Sequence, residues 1–88
     1  MRITLLYFAV ARERAGCSRE LIELPDDATA ATALGAALRA HPTLAPIADR
    51  LRLAIDQEFA ESTHALRDGD EVALIPPVSG GIDREAAP

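Results

Sequence analysis

Two stretches near opposite ends of the chain are apolar on both faces of an extended strand. In RITLLYF, Ile3, Leu5 and Tyr7 point one way while Thr4, Leu6 and Phe8 point the other. In EVALI, Val72, Ala73, Leu74 and Ile75 run without a polar break. Strand side chains alternate between faces, so a strand that is apolar on both belongs at the centre of a sheet. Only one segment offers a convincing cover for that sheet. From Ala30 the spacing Ala30, Ala33, Leu34, Ala37, Leu38, His41 is that of one helical face, with Thr29 placed to cap its first turn and Pro42 to stop it. One helix covers one face of a sheet. The pattern therefore predicts apolar surface that this chain alone leaves open, suited to a protein partner.

The remaining segments fill in the connections. ARERAG, ending at Gly16, reads as a turn or a single helical turn with glycine past its end. Ser18 to Leu24 alternates and is expected to pair as a hairpin with the first strand. Residues 43–50, with Pro46 among them, read as an irregular connection, and Leu51, Leu53 and Ile55 mark a third strand. A tight reversal near Asp56 leads to a short fourth strand. Asp68-Gly69 turns the chain into a last strand over Glu71 to Ile75, which Pro76 and Pro77 end because proline has no amide proton to give a ladder. The fold class is α+β: a mixed sheet of about five strands crossed by one main helix.

Composition narrows the function. At 88 residues there is room for one small core. A net charge of −5, with basic residues scattered along the chain, argues against a nucleic-acid partner. No apolar run reaches the roughly 18 residues that span a bilayer, and the start lacks a signal-peptide pattern, so no membrane partner and a cytoplasmic location are expected. All nine cations are arginine, and a lysine-free chain cannot itself accept an isopeptide bond on a side chain. Cys17 is the only cysteine, which rules out a disulfide framework. Cys17, His41 and His64 stand far apart in sequence, so neither a zinc site nor a Cys–His nucleophile is expected, and no metal is assigned. Asp68, Asp70 and Glu71 supply too few oxygens for a hard cation and read as an acidic turn. Ser79 has no general base near it in sequence.

The tail is more specific. DGDEVALIPPVSGG, residues 68–81, together with ITLLYFAVARERAG at the start, resembles the two ends of the molybdopterin synthase small subunit, the MoaD branch of the MoaD/ThiS ubiquitin-like sulfur carriers. The resemblance covers essentially all of residues 1–81, by pattern more than by letters in the middle. It implies a β-grasp fold with the first and last strands adjacent and parallel at the centre. It also implies a carrier domain over 1–81 whose reacting group is the backbone carboxylate of Gly81, next to Gly80. A partner adenylating enzyme of the E1 type uses ATP to activate that carboxylate, and a sulfur donor then displaces AMP to leave a thiocarboxylate. The large synthase subunit passes the sulfur to cyclic pyranopterin monophosphate, two carriers being consumed per dithiolene. On this reading the chain binds no cofactor and has no catalytic machinery of its own. Phe8, Leu74, Ile75, Pro76, Pro77 and Val78 would border the contact with the partners.

Physical chemistry explains why such a tail is built from these residues. A carboxylate is a poor electrophile and must be aligned with ATP inside a desolvated partner site. Glycine has no Cβ, so Gly80 and Gly81 form the narrowest possible tip. Fully extended, Val78 to Gly81 reaches at most about 13 Å beyond the prolines. Pro76 and Pro77 hold its root stiff, which lowers the entropy lost on docking.

The chain departs from the family at IDREAAP, residues 82–88, which follows the second glycine. With Gly81 in a peptide bond there is no acid to adenylate. Three explanations stand: a protease trims the tail after Gly81, the segment opens a fused domain, or it is an artefact. Small, polar and acidic residues suggest a disordered extension, which suits processing. Alternatives for the whole chain are a thiamin- or cysteine-pathway sulfur carrier, a ubiquitin-like protein modifier, and a plain binding module.

Overall fold

The structure is a computed structural model that describes residues 1–77; Val78, Gly80, Gly81 and the segment 82–88 lie outside the described residues. The elements run β1 (Arg2–Tyr7), α1 (Ala9–Ala15), β2 (Arg19–Glu23), α2 (Ala30–Ala40), a 3-10 helix (Pro42–Arg50), β3 (Arg52–Ile55), β4 (Glu58–Ala60) and β5 (Glu71–Ile75). They form one five-stranded sheet in the order β2-β1-β5-β3-β4. β1 and β5, the two strands that are apolar on both faces, lie side by side and parallel at its centre, with Leu5 opposite Val72 and Tyr7 opposite Leu74. All other pairings are antiparallel. This is the mixed β-grasp arrangement that the resemblance implies.

The period of two decides what is buried. Ile3, Leu5, Tyr7, Leu53, Ile55, Val72 and Leu74 face one side and join a core with Ala30, Ala33 and Ala37 of α2 and with Leu44 of the 3-10 helix. Alanine at the buried positions of α2 lets the helix backbone lie close to the sheet, so short side chains still fill the interior. At the start of α2, the Thr32 hydroxyl accepts the Thr29 N–H at 3.1 Å, and the two hydroxyls lie 3.3 Å apart. The cap thus runs through Thr32 as well as the expected Thr29.

Two segments differ from expectation. AVARERA forms a seven-residue helix rather than a single turn, closed by Gly16 at φ 80, whose N–H donates to the Arg12 carbonyl. Alanine, arginine and glutamate are strong helix formers, and the left-handed Gly16 is the stop that the sequence does advertise. The stretch read as an irregular connection is a nine-residue 3-10 helix. Pro42 and Pro46 each lack an N–H and fix φ near the helical value, which suits the opening of successive short turns. The expected reversal after β3 is present, made by Asp56 and Gln57 at φ 50 and 75. Asp68 and Asp70 are both taken up by backbone: Asp68 Oδ1 ties the turn to β1 by accepting the Arg2 N–H at 2.7 Å, and Asp70 Oδ2 closes the turn by accepting the Arg67 N–H at 2.9 Å. Among the described residues no helix is long and apolar enough to cross a membrane.

Candidate functional site

β5 carries the chain from the centre of the sheet straight to the root of the tail. The Phe8 N–H reaches the Leu74 carbonyl at 3.4 Å, so the ends of β1 and β5 are held together where the strand gives way to Pro76 and Pro77. Pro76 is buried and Pro77 is exposed. Phe8, Ile75, Pro76 and Pro77 meet here, around an open hollow of about 700 Å³ that Val10, Ile47 and Arg50 complete. Leu74 points the other way. It is 0% exposed and belongs to the core, so in this chain it anchors β5 rather than offering partner surface. Val78, Gly80 and Gly81 lie outside the described residues.

The sheet face away from α2 adds residues that sequence reasoning did not single out. Leu6 lies opposite Ala73, Ala73 opposite Ala54, and Ala54 opposite Phe59, so four strands contribute one continuous apolar row. Small alanines at its middle leave a hollow of about 290 Å³ that also borders Phe8 and Ile75. Phe8 and Phe59 are 45% and 58% exposed, and the Arg52 guanidinium sits 3.9 Å from the Phe59 ring centre. Leu21, opposite Thr4, extends the same face to β2 and is 66% exposed. Large apolar side chains left this far in water give the face the character of a surface that a protein partner could cover. The open face predicted from the single helix is present. Phe59 has no readable pattern around it because it is the one large apolar residue in QEFAES, where only strand register shows what it faces.

A second constellation corrects the expectation that Cys17 and His41 stay apart. Cys17 in the turn after α1, Glu20 on β2 and His41 at the end of α2 bring their ligand atoms within 4.8 Å of one another. His64 is elsewhere, its carbonyl accepting the Ala30 N–H at 2.9 Å. Glu20 Oε1 accepts the Tyr7 hydroxyl at 2.6 Å and lies 2.7 Å from His41 Nε2. The Tyr7 and His41 rings meet edge to face, 5.4 Å between centroids at 87°. Burial pushes the Glu20 carboxyl up, but the hydrogen bonds from Tyr7 and His41 and the nearby His41 charge outweigh it, and the group sits below its ordinary value. Burial and then the bond to Glu20 push the Tyr7 hydroxyl well up. Burial and the Glu20 charge raise the Cys17 thiol, so this sulfur is not an activated nucleophile.

Comparison with known proteins agrees with the fold. The ThiS family profile matches residues 5–81. The chain is 43% identical over 83 residues to a molybdopterin synthase sulfur carrier subunit of Chlamydomonas reinhardtii, covering 92% of this chain and 100% of the relative. It is 35% identical to the protein of that name in Homo sapiens, covering 91% of this chain and 94% of the relative. Among solved structures, small archaeal modifier protein 1 of H. volcanii superposes with a TM-score of 0.80 at 32% identity, covering 88% of this chain and 98% of the other.

Proposed function

The chain belongs to the ThiS family, and from that footing we propose that it is the sulfur-carrying small subunit of a molybdopterin synthase. The observation that carries this reading is the identity over nearly full length to relatives named molybdopterin synthase sulfur carrier subunit, with both chains covered almost end to end. The geometry is compatible: the central strand leads directly into Pro76-Pro77, beside an open apolar face on which a larger partner can seat.

In this role the chain delivers a reacting group and the partners do the chemistry. Cleavage of the Gly81–Ile82 peptide bond frees a carboxylate. An adenylating enzyme joins that carboxylate to the α-phosphorus of ATP, releasing pyrophosphate, and a sulfur donor displaces AMP to leave the thiocarboxylate. The large synthase subunit then takes the sulfur onto cyclic pyranopterin monophosphate. The thin glycine tip suits a closed nucleotide site because no Cβ obstructs its approach. Phe8, Ile75, Pro76, Pro77 and Val78 frame the docking, and ATP is bound by the partner, not by this chain.

Intact mass spectrometry of the chain from its own host tests the first step, since a carrier must appear as a species ending at Gly81. Incubating that species with the adenylating enzyme, ATP and a sulfur donor should then replace one oxygen by one sulfur in the measured mass. A chain that always retains Ile82, or a Gly81 terminus that never gains sulfur, overturns the proposal. A protein-modifier role is the second reading, favoured by the archaeal modifier protein among the structural relatives. It predicts Gly81 joined to lysine side chains of other proteins, which peptide mapping of high-mass conjugates would detect.

A further inference from the structure

The cluster of Cys17, Glu20 and His41 is not needed for delivering a tail, and its members line neither of the two hollows beside the tail root. Its members come from the α1–β2 turn, the edge strand β2 and the end of α2, and all their donor atoms fall within 4.8 Å of one another. Thiolate, imidazole and carboxylate are the donor types that zinc accepts. In a tetrahedral zinc site, sulfur at about 2.3 Å and nitrogen and oxygen at about 2.1 Å from the ion stand roughly 3 to 4 Å from each other. The present spacing, at most 4.8 Å, exceeds that range by about 1 Å or less at its widest. We propose that Cys17, Glu20 and His41 form a binding site for a divalent cation of the zinc class, with the fourth position held by water.

Three features suit the site to that task. The His41 and Glu20 side chains are 20% and 29% exposed, so an ion can reach them without unfolding. The Tyr7 hydroxyl, 2.6 Å from Glu20 Oε1, fixes the carboxylate and makes Tyr7 a positioning residue. The Tyr7 ring, edge to face with His41, fixes the plane of the imidazole. On binding, the Cys17 S–H proton passes to solvent. His41 Nε2, whose proton now bridges to a Glu20 oxygen at 2.7 Å, gives that proton up, to solvent from a doubly protonated ring or to Nδ1 by tautomerisation of a neutral one. The freed nitrogen and the carboxylate then turn their lone pairs to the ion. The ion would tie the end of α2 to the β2 edge of the sheet, a structural clamp independent of the carrier reading.

The test uses the full chain stripped of metal. Titration with cobalt(II) should develop, at one equivalent, the thiolate-to-metal band in the near ultraviolet and the strong visible absorption of a tetrahedral site, both displaced by zinc. Cys17→Ser should lose the thiolate band, Tyr7→Phe should weaken binding about tenfold, and His64→Gln should behave as the unaltered chain. Since Cys17 is the only cysteine, iodoacetamide reports on this site alone in the native protein, and zinc should slow its reaction about tenfold or more. A saturating excess of zinc should raise the melting midpoint by roughly 10 °C. Absence of the cobalt bands, their survival in Cys17→Ser, their loss in His64→Gln, or an alkylation rate indifferent to zinc overturns the assignment and leaves a Tyr7–Glu20–His41 hydrogen-bond network without an ion.

Discussion

Tyr7 and Glu20 show how a single pair can make stability depend on pH from both sides. The Tyr7 ring is buried at the end of β1, and among the described residues its hydroxyl donates to Glu20. Glu20 is held below the ordinary carboxylate range, so the folded chain binds that proton less readily than the unfolded one. Its contribution is therefore present above the unfolded value of about 4.3 and is lost as pH falls through the folded value. Tyr7 is shifted the opposite way. Its contribution is complete below the unfolded value of about 10 and is lost as pH rises, because only the unfolded chain can readily ionise it. Cys17, also raised, adds to the same alkaline loss. Thermal melts across pH, with a chelator present, should show a shallower acid limb in Glu20→Gln and a shallower alkaline limb in Tyr7→Phe. An alkaline limb that Tyr7→Phe leaves unchanged would contradict this account.

Among the elements, α2 depends on its cap more than its length suggests. Its buried positions are alanines, each contributing little apolar area, so the start of the helix matters in proportion. Thr32→Ala removes the acceptor of the Thr29 N–H and should cost about 1 kcal/mol, read as a lower melting temperature or denaturant midpoint. Elements with a strong period were legible in the sequence for the same physical reason that they are stable. β1 and β5 alternate through apolar residues on both faces, and α2 repeats at helical spacing, so burial wrote itself into the letters. α1 was underestimated because only Ala11 is buried, leaving almost no apolar stripe to read. The 3-10 helix was missed because Pro46 inside a segment argues against an α-helix, while short turns opened by proline leave no period. At the tail root, Phe8, Ile75, Pro76 and Pro77 followed from the family pattern. Phe59 depended on register, and Cys17 with His41 on how the end of α2 lands against β2. Neither relation exists in one dimension.

At the scale of the whole molecule, the two faces of one sheet have been given different work. The covered face carries Leu53 against Leu74 and Ile55 against Val72 beneath α2 and the 3-10 helix, and its burial supplies most of what holds the chain folded. The open face carries the row Leu6, Ala73, Ala54 and Phe59, whose exposed end contributes little to folding because much of its area never leaves water. Stability and docking should therefore separate by face. Leu53→Ala, on the covered side, should lower stability by about 2 to 5 kcal/mol while the molecules that remain folded bind the large subunit as before. Phe59→Ser, on the open side, forfeits little beyond the Arg52 contact and should stay within about 1 kcal/mol of the unaltered chain. Yet it removes an exposed aromatic from the framing of the hollow. Calorimetric titration against the large synthase subunit should find its affinity down about tenfold or more, a loss of roughly 1.4 kcal/mol. Full affinity in Phe59→Ser, with its melting temperature unmoved, would mean that the partner seats elsewhere and that the open row serves another contact.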